Sequence, residues 1–140
     1  MTLSNEFIVR QDCDAAYQFI HNKIPMYRSE WMTGIVLERR GEIVAATLFM
    51  DWNKTNIFMH SAGTPGTNWL TREYIYWCFN YPFKQLNCSR VTCSVDEDNI
   101  ASNRFVKKLG FRLEAVLSRA SKTGKDVNIY CMFKEDCKYG

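Results

Sequence analysis

Near the start of the chain, Ala15, Ala16, Phe19 and Ile20 fall at helical spacing behind a candidate cap at Asp12 or Asp14, until Pro25 forbids continuation. A second short helical or irregular piece is expected from about Met26 to Met32, with Gly34 ending it. The period then shortens to that of strands. Ile35–Glu38 and Ile43–Met50 flank Arg39-Arg40-Gly41-Glu42, where Gly41 can take the positive φ of a tight turn, so the pair reads as a β-hairpin. The second of these strands is apolar on both faces, interrupted by Thr47, and should be central. Turn formers at 51–56 lead into a third antiparallel strand, Ile57–Ala62.

Gly63-Thr64-Pro65-Gly66-Thr67-Asn68 breaks that strand, and a helix follows in which Leu70, Tyr74, Trp77, Cys78 and Tyr81 form an apolar stripe that Pro82 closes. Val91, Cys93 and Val95 alternate with Thr92 and Ser94 as another strand. Asp96-Glu97-Asp98-Asn99 caps a further helix, with Ala101, Phe105 and Leu109 on one face and Gly110 as its left-handed stop. Phe111–Ala120 and Val127–Phe133 end the chain around a turn at Thr123-Gly124-Lys125-Asp126, and Val127, Ile129, Cys131 and Phe133 share one face. The order is therefore α-α-β-β-β-α-β-α-β-β. It predicts an α/β fold, a mixed sheet flanked by four helices, over residues 1–140 as one domain.

Composition narrows the function classes. The chain has 140 residues, 46% of them hydrophobic and 24% charged, which rules out disorder. A net charge of +3 is too small and too evenly spread to indicate nucleic acid as the main partner. No apolar run is long enough to span a bilayer, and Met1–Arg10 lacks a secretory pattern, so a cytoplasmic location is expected. The six cysteines include no Cys-x-x-Cys pair and have only His21 and His60 as possible co-ligands; they read as buried free thiols, and no metal is expected.

Chemistry is concentrated after the third strand. A loop with two glycines entering a helix exposes backbone N–H groups at the positive end of the helix dipole, which suits a phosphate; Gly63, Thr64, Gly66, Thr67 and Asn68 can contribute, with Arg72 as a nearby cation. A Gly- and Thr-rich turn with a solvated arginine is the structural alternative. His60, near the carboxyl end of its strand, is a candidate base or a structural histidine.

The segment Asn99-Ile100-Ala101-Ser102-Asn103-Arg104-Phe105-Val106-Lys107-Lys108-Leu109-Gly110-Phe111-Arg112-Leu113-Glu114 resembles the C-terminal signature of the GCN5-related N-acetyltransferases. It is most similar to the ribosomal-protein N-terminal acetyltransferase branch and to small phage-type members. The resemblance implies acetyl-CoA bound between splayed strands Ile57–Ala62 and Arg90–Val95, and direct transfer of its acetyl group to a primary amine on a protein or small molecule. It implies coenzyme contacts at Ser61, Ala62, Gly63, Thr64, Gly66, Thr67 and Asn68, and further ones at Thr71, Arg72, Asn99, Ser102 and Phe105. His60 would serve as base, and Ser102 or a water would reprotonate the thiolate, because Val106 stands where many members have a tyrosine. The family's phosphate-loop pattern is matched in neither register, by His60 with Pro65 or by Gly63 with Asn68. Surplus aromatic residues on the 70–83 segment suit a homodimer contact. A non-catalytic acetyltransferase-like module and, further off, a nucleic-acid-binding domain built on Arg104–Lys125 are the alternatives.

Overall fold

The computed structural model describes residues 6–139. Seven strands form one sheet in the order β1-β2-β3-β4-β5-β7-β6. They are β1 (Phe7–Gln11), β2 (Met32–Arg39), β3 (Glu42–Met50), β4 (Asn56–Gly63), β5 (Arg90–Asp96), β6 (Arg112–Leu117) and β7 (Val127–Phe133). Three α-helices accompany them: α1 (Cys13–Lys23), α2 (Arg72–Asn80) and α3 (Ile100–Leu109). Every neighbouring pair is antiparallel except β4 with β5. Among the described residues no helix is long and apolar enough to cross a membrane.

The mixed α/β sheet is as expected, but three α-helices flank it rather than four. No helix forms between Met26 and Met32. Side chains of α1 satisfy the backbone there instead: Tyr17 Oη donates to the Met26 carbonyl at 2.7 Å, and the Met26 N–H donates to His21 Nδ1 at 3.1 Å. The sequence reading also missed β1. Phe7 and Val9 pack on the core, while Arg10 on the alternate face pairs with Glu38 of β2 at 2.6 Å, so this short edge strand carries the half-buried alternation of its class.

Local turn chemistry follows the residues that require it. The β2–β3 turn uses Arg40 and Gly41 at φ 54° and 77°, and Gly110 stops α3 at φ 112°. Leu70 lies outside α2, whose cap is Thr71, and is 40% exposed, as is much of Trp77; Tyr74, Cys78 and Phe79 form the buried face. In α3, Val106 and Leu109 are buried while Ala101 faces out. Pro82 lacks an N–H, so the chain after α2 widens into a π-turn, Tyr81–Gln85, in which the Leu86 N–H reaches the Tyr81 carbonyl at 3.0 Å.

The sheet buries its two faces unequally. On one, α2, the π-turn and α3 cover a large core that includes Leu37, Phe49, Ile57, Tyr74, Val91 and Tyr130. On the other, α1 alone covers Val36, Ala46, Leu48 and Met50.

Candidate functional site

The two parallel strands at the centre do not stay together. β4 and β5 pair only through Asn56, Ile57 and Phe58 against Arg90, Val91 and Thr92. This end is clamped: Thr92 Oγ1 donates to Asn56 Oδ1 at 2.7 Å, and the Ser89 and Arg90 amides both donate to the Thr55 carbonyl. Beyond the clamp, β4 pairs only with β3, and β5 only with β7. A wedge opens between them toward their carboxyl ends, the position where open α/β sheets bind ligands.

The wedge holds a cavity of about 180 Å³ lined by Met59, His60 and Ser61 of β4, Cys93 to Asp96 of β5, Asn99 and Ser102 at the start of α3, and Ile24 after α1. Larger grooves, one of about 260 Å³ beside Trp77 and one of about 550 Å³ along α2 against Tyr139, share no residue with it. Of the residues expected from sequence, His60, Ser61, Asn99 and Ser102 meet in this cavity.

Strand alternation sends His60 and Ser61 to opposite faces of the sheet. Ser61 lies opposite Thr47 on the α2 side, and His60 lies opposite Leu48 on the α1 side. Burial in the wall of the wedge pushes the His60 imidazole below its ordinary pKa of 6.5, so it is neutral at physiological pH and able to accept a proton. Cys93 also lines the wedge, but burial pushes its thiol up to about 12, which keeps it protonated and a poor nucleophile.

The His60 shift has a sign that can be measured. Because the folded chain resists protonating this ring, its contribution to stability is present above pH 6.5 and is lost as pH falls below that value. Melting temperatures recorded downward from pH 7 should fall more steeply for the wild type than for His60→Gln. Superimposable profiles would show that His60 is not desolvated.

The loop after β4 turns back across Gly63. The Thr64 amide donates to the Val44 carbonyl at 2.8 Å, Thr67 Oγ1 donates to the Thr64 carbonyl at 2.6 Å, and Gly66 and Asn68 take φ of 81° and 52°. Trp69 lies flat against Gly63, leaving no room for a side chain, and packs against Tyr74 and Phe105 with ring centroids 6.2 and 5.7 Å away. Thr71 caps α2 by accepting the Tyr74 amide. The Pro65–Gly66 turn engages the Thr67 amide, whereas the amides of Gly66, Asn68, Trp69 and Leu70, and those of Arg72 and Glu73, have no hydrogen-bond acceptor among the described residues. This run of unspent donors at the start of α2 fits an anion such as a pyrophosphate. Ala62 continues β4 into the loop, while Arg72 is exposed at the first turn of α2.

Asn99 has a duty that its motif conceals. Its Oδ1 accepts the Ser102 amide at 3.2 Å, making it the N-cap of α3. Asn99→Ala should therefore cost about 1 kcal/mol of stability, and Asn99→Ser should recover most of it. Denaturant unfolding of the two variants separates the cap from any role toward a ligand, since a ligand defect that persists in the stable serine variant belongs to the amide itself.

Trp69 carries no motif, and Ile24 reaches the wedge only because α1 ends above it. Ser94 to Asp96 were findable, since they end a central strand where connections diverge.

No family model matches the chain. An uncharacterized N-acetyltransferase, YoaA, of Bacillus subtilis (strain 168) is 37% identical over 70 residues, 48% of this chain and 40% of that protein. The matched region thus spans less than half the length of that relative. Among solved structures, the spermidine/spermine N-acetyltransferase SpeG of Vibrio cholerae in complex with manganese ions aligns with a TM-score of 0.74 at 14% identity, covering 93% of this chain and 94% of that one. Its F149G mutant reaches a TM-score of 0.76 at 15% identity, covering 92% and 94%. A dodecameric form of the same enzyme in an intermediate state aligns at 0.74 and 16%, again covering 92% and 94%. The chain has the fold of the GCN5-related N-acetyltransferases, and the likeness to YoaA supports that superfamily.

Proposed function

We propose that this chain transfers an acetyl group from acetyl-CoA to a primary amine, directly, in a ternary complex. The observation that carries this reading is the wedge between β4 and β5, open at the end where the loop offers the unspent amides of Gly66, Asn68, Trp69 and Leu70. Those amides, with the start of α2 and Arg72, suit the coenzyme's pyrophosphate. The wedge suits its thioester arm, held between Ser61 on one strand and Ser102 on the facing helix.

Three chemical demands follow from amine attack on a thioester: removal of a proton from the ammonium, stabilisation of the tetrahedral oxyanion, and a proton for the leaving sulfur. His60, neutral and on the α1 side of the sheet, takes the first proton. Backbone N–H groups on the edge of β4 facing the wedge, which pair with no strand beyond Phe58, serve the oxyanion. Alignment of amine and thioester within the wedge contributes a large further share.

The acceptor belongs to the amine class. Asn99–Glu114, with its resemblance to the ribosomal-protein N-terminal branch, supports peptide N-termini; the matched SpeG structures are of spermidine N-acetyltransferases, which brings polyamines into consideration. Calorimetric titration with acetyl-CoA, followed by a free-thiol assay over N-terminal peptides, lysine peptides and spermidine, tests the proposal. Binding followed by amine-dependent thiol release supports it; binding without release for any amine would instead identify a coenzyme-binding module, the outcome that buried, hydroxyl-free Val106 favours.

A further inference from the structure

Three hydroxyl groups run in a line from the core to the wedge. Tyr74 Oη of α2, fully buried, lies 2.7 Å from Thr47 Oγ1 of β3, which lies 2.8 Å from Ser61 Oγ of β4. Thr47 is itself fully buried, in the middle of an otherwise apolar strand, whereas Ser61 is exposed and lines the cavity. Cys78 Sγ, 3.4 Å from Thr47, is the remaining polar neighbour.

The order of donation follows from what each group can do. A phenol is the better donor and poorer acceptor, and Thr47 Oγ1 is the oxygen within reach of the Tyr74 hydrogen. Burial raises the Tyr74 pKa well above 10, so that hydrogen stays in place. Thr47, having accepted from Tyr74, donates to Ser61. The reverse order would leave the phenol hydrogen facing only sulfur. With one lone pair of Ser61 committed to Thr47, its own hydrogen and its second lone pair are turned toward the wedge.

We propose that Ser61 is the hydroxyl that delivers a proton to the leaving sulfur, held in its donating orientation by Thr47 and Tyr74. The inference rests on the acetyl-transfer reading above. In the step, the C–S bond of the tetrahedral adduct breaks and its C=O bond reforms. The sulfur takes the Ser61 hydrogen while Ser61 Oγ takes the surplus proton on the attacking nitrogen, so one N–H and one O–H bond break as one O–H and one S–H bond form. Ser61 ends unchanged, and no external acid is consumed. Thr47 and Tyr74 are positioning residues, since neither reaches the cavity. The arrangement also accounts for chemistry without a tyrosine at position 106, because the donor comes from β4 rather than from α3.

The test compares wild type with Ser61→Ala, Ser61→Thr and Thr47→Val. Acetyl-CoA affinity is measured by calorimetry, kcat by thiol release with the best amine of the panel above, and the pKa of bound coenzyme A thiol by ultraviolet difference titration against the free protein. Ser61→Ala is expected to lose no more than a few-fold in acetyl-CoA affinity, as the loss of one contact to the thioester arm requires, but about 10²-fold in kcat, and to raise the bound-thiol pKa. Ser61→Thr should keep most activity, and Thr47→Val should show a smaller loss than Ser61→Ala with unchanged KM. Wild-type kcat together with an unshifted thiol pKa in Ser61→Ala would overturn the proposal while leaving the acetyl-transfer reading intact. Failure of wild type to bind acetyl-CoA would overturn both, and the calorimetry reveals that before any variant is assayed.

Discussion

Gly34→Ala should lower the melting temperature by roughly 5–12 °C. A Cβ at Gly34 would sit 2.6 Å from Ala16 Cβ of α1 and 3.2 Å from both Leu48 Cδ2 and the Thr47 carbonyl oxygen. None of these groups can swing away: Ala16 has no rotamers, and Leu48 and the Thr47 backbone belong to a central strand. The helix must lift from the sheet or the sheet must bend, at a cost of about 1–3 kcal/mol. Ala16 and Gly34 are thus two halves of one contact. Ala16→Gly alone should cost about 1 kcal/mol of helix propensity, yet in the Gly34→Ala background it should restore stability. Additive losses in this double-mutant cycle, measured by urea unfolding, would show that the helix does not rest on Gly34.

Gly63→Ala should weaken acetyl-CoA binding by at least about tenfold, a loss of about 1.4 kcal/mol, in calorimetric titration. The new Cβ would fall 2.1–2.3 Å from the indole of Trp69. That indole is also packed against Tyr74 and Phe105, so displacing it moves the loop on which the free amides of Gly66, Asn68, Trp69 and Leu70 are arrayed. Melting temperature should fall as well, which by itself does not test the site. The discriminating variant is Gly63→Ala with Trp69→Ala, where space is returned: if affinity recovers partly, loop geometry governs binding. Undiminished affinity in Gly63→Ala would remove this loop from the coenzyme site.

Much of this architecture is legible in the residues because local and global signals agree. Pro25, Gly41, Gly110 and the alternation of Val127, Ile129, Cys131 and Phe133 each dictate backbone choices that the fold uses. β1 is not legible: five residues at an edge give too short an alternation, and what identifies the strand is its partner β2, distant in sequence. The absent second helix is explained in the same way, since Tyr17 and His21 capture the backbone of Met26 from outside the segment. In the candidate site, His60, Ser61, Asn99 and Ser102 line one cavity, and all four are marked in the sequence, Asn99 and Ser102 by their motif and His60 by its place near the end of a strand, whereas Trp69 and the Tyr74–Thr47–Ser61 line depend on three-dimensional packing. Only Thr47, a polar residue inside an apolar strand, leaves a trace of that line in the sequence.

The unequal burial of the two faces divides the wedge into a firm side and a loose one. On the α2 and α3 side, Met59, Cys93 and Val95 are tied into the large core, but Ile24 hangs from α1, whose own buried face reduces to Ala16 and Ile20. Amide hydrogens of α1 should therefore exchange with solvent through openings that leave β3 to β5 intact, at a free energy below that of global unfolding. On the acetyl-transfer reading, the wall nearest His60 can yield to acceptors of different bulk while the wall nearest Ser61 keeps its register, so tolerance for varied amines and strictness toward the acyl donor would arise from separate cooperative units of one small sheet.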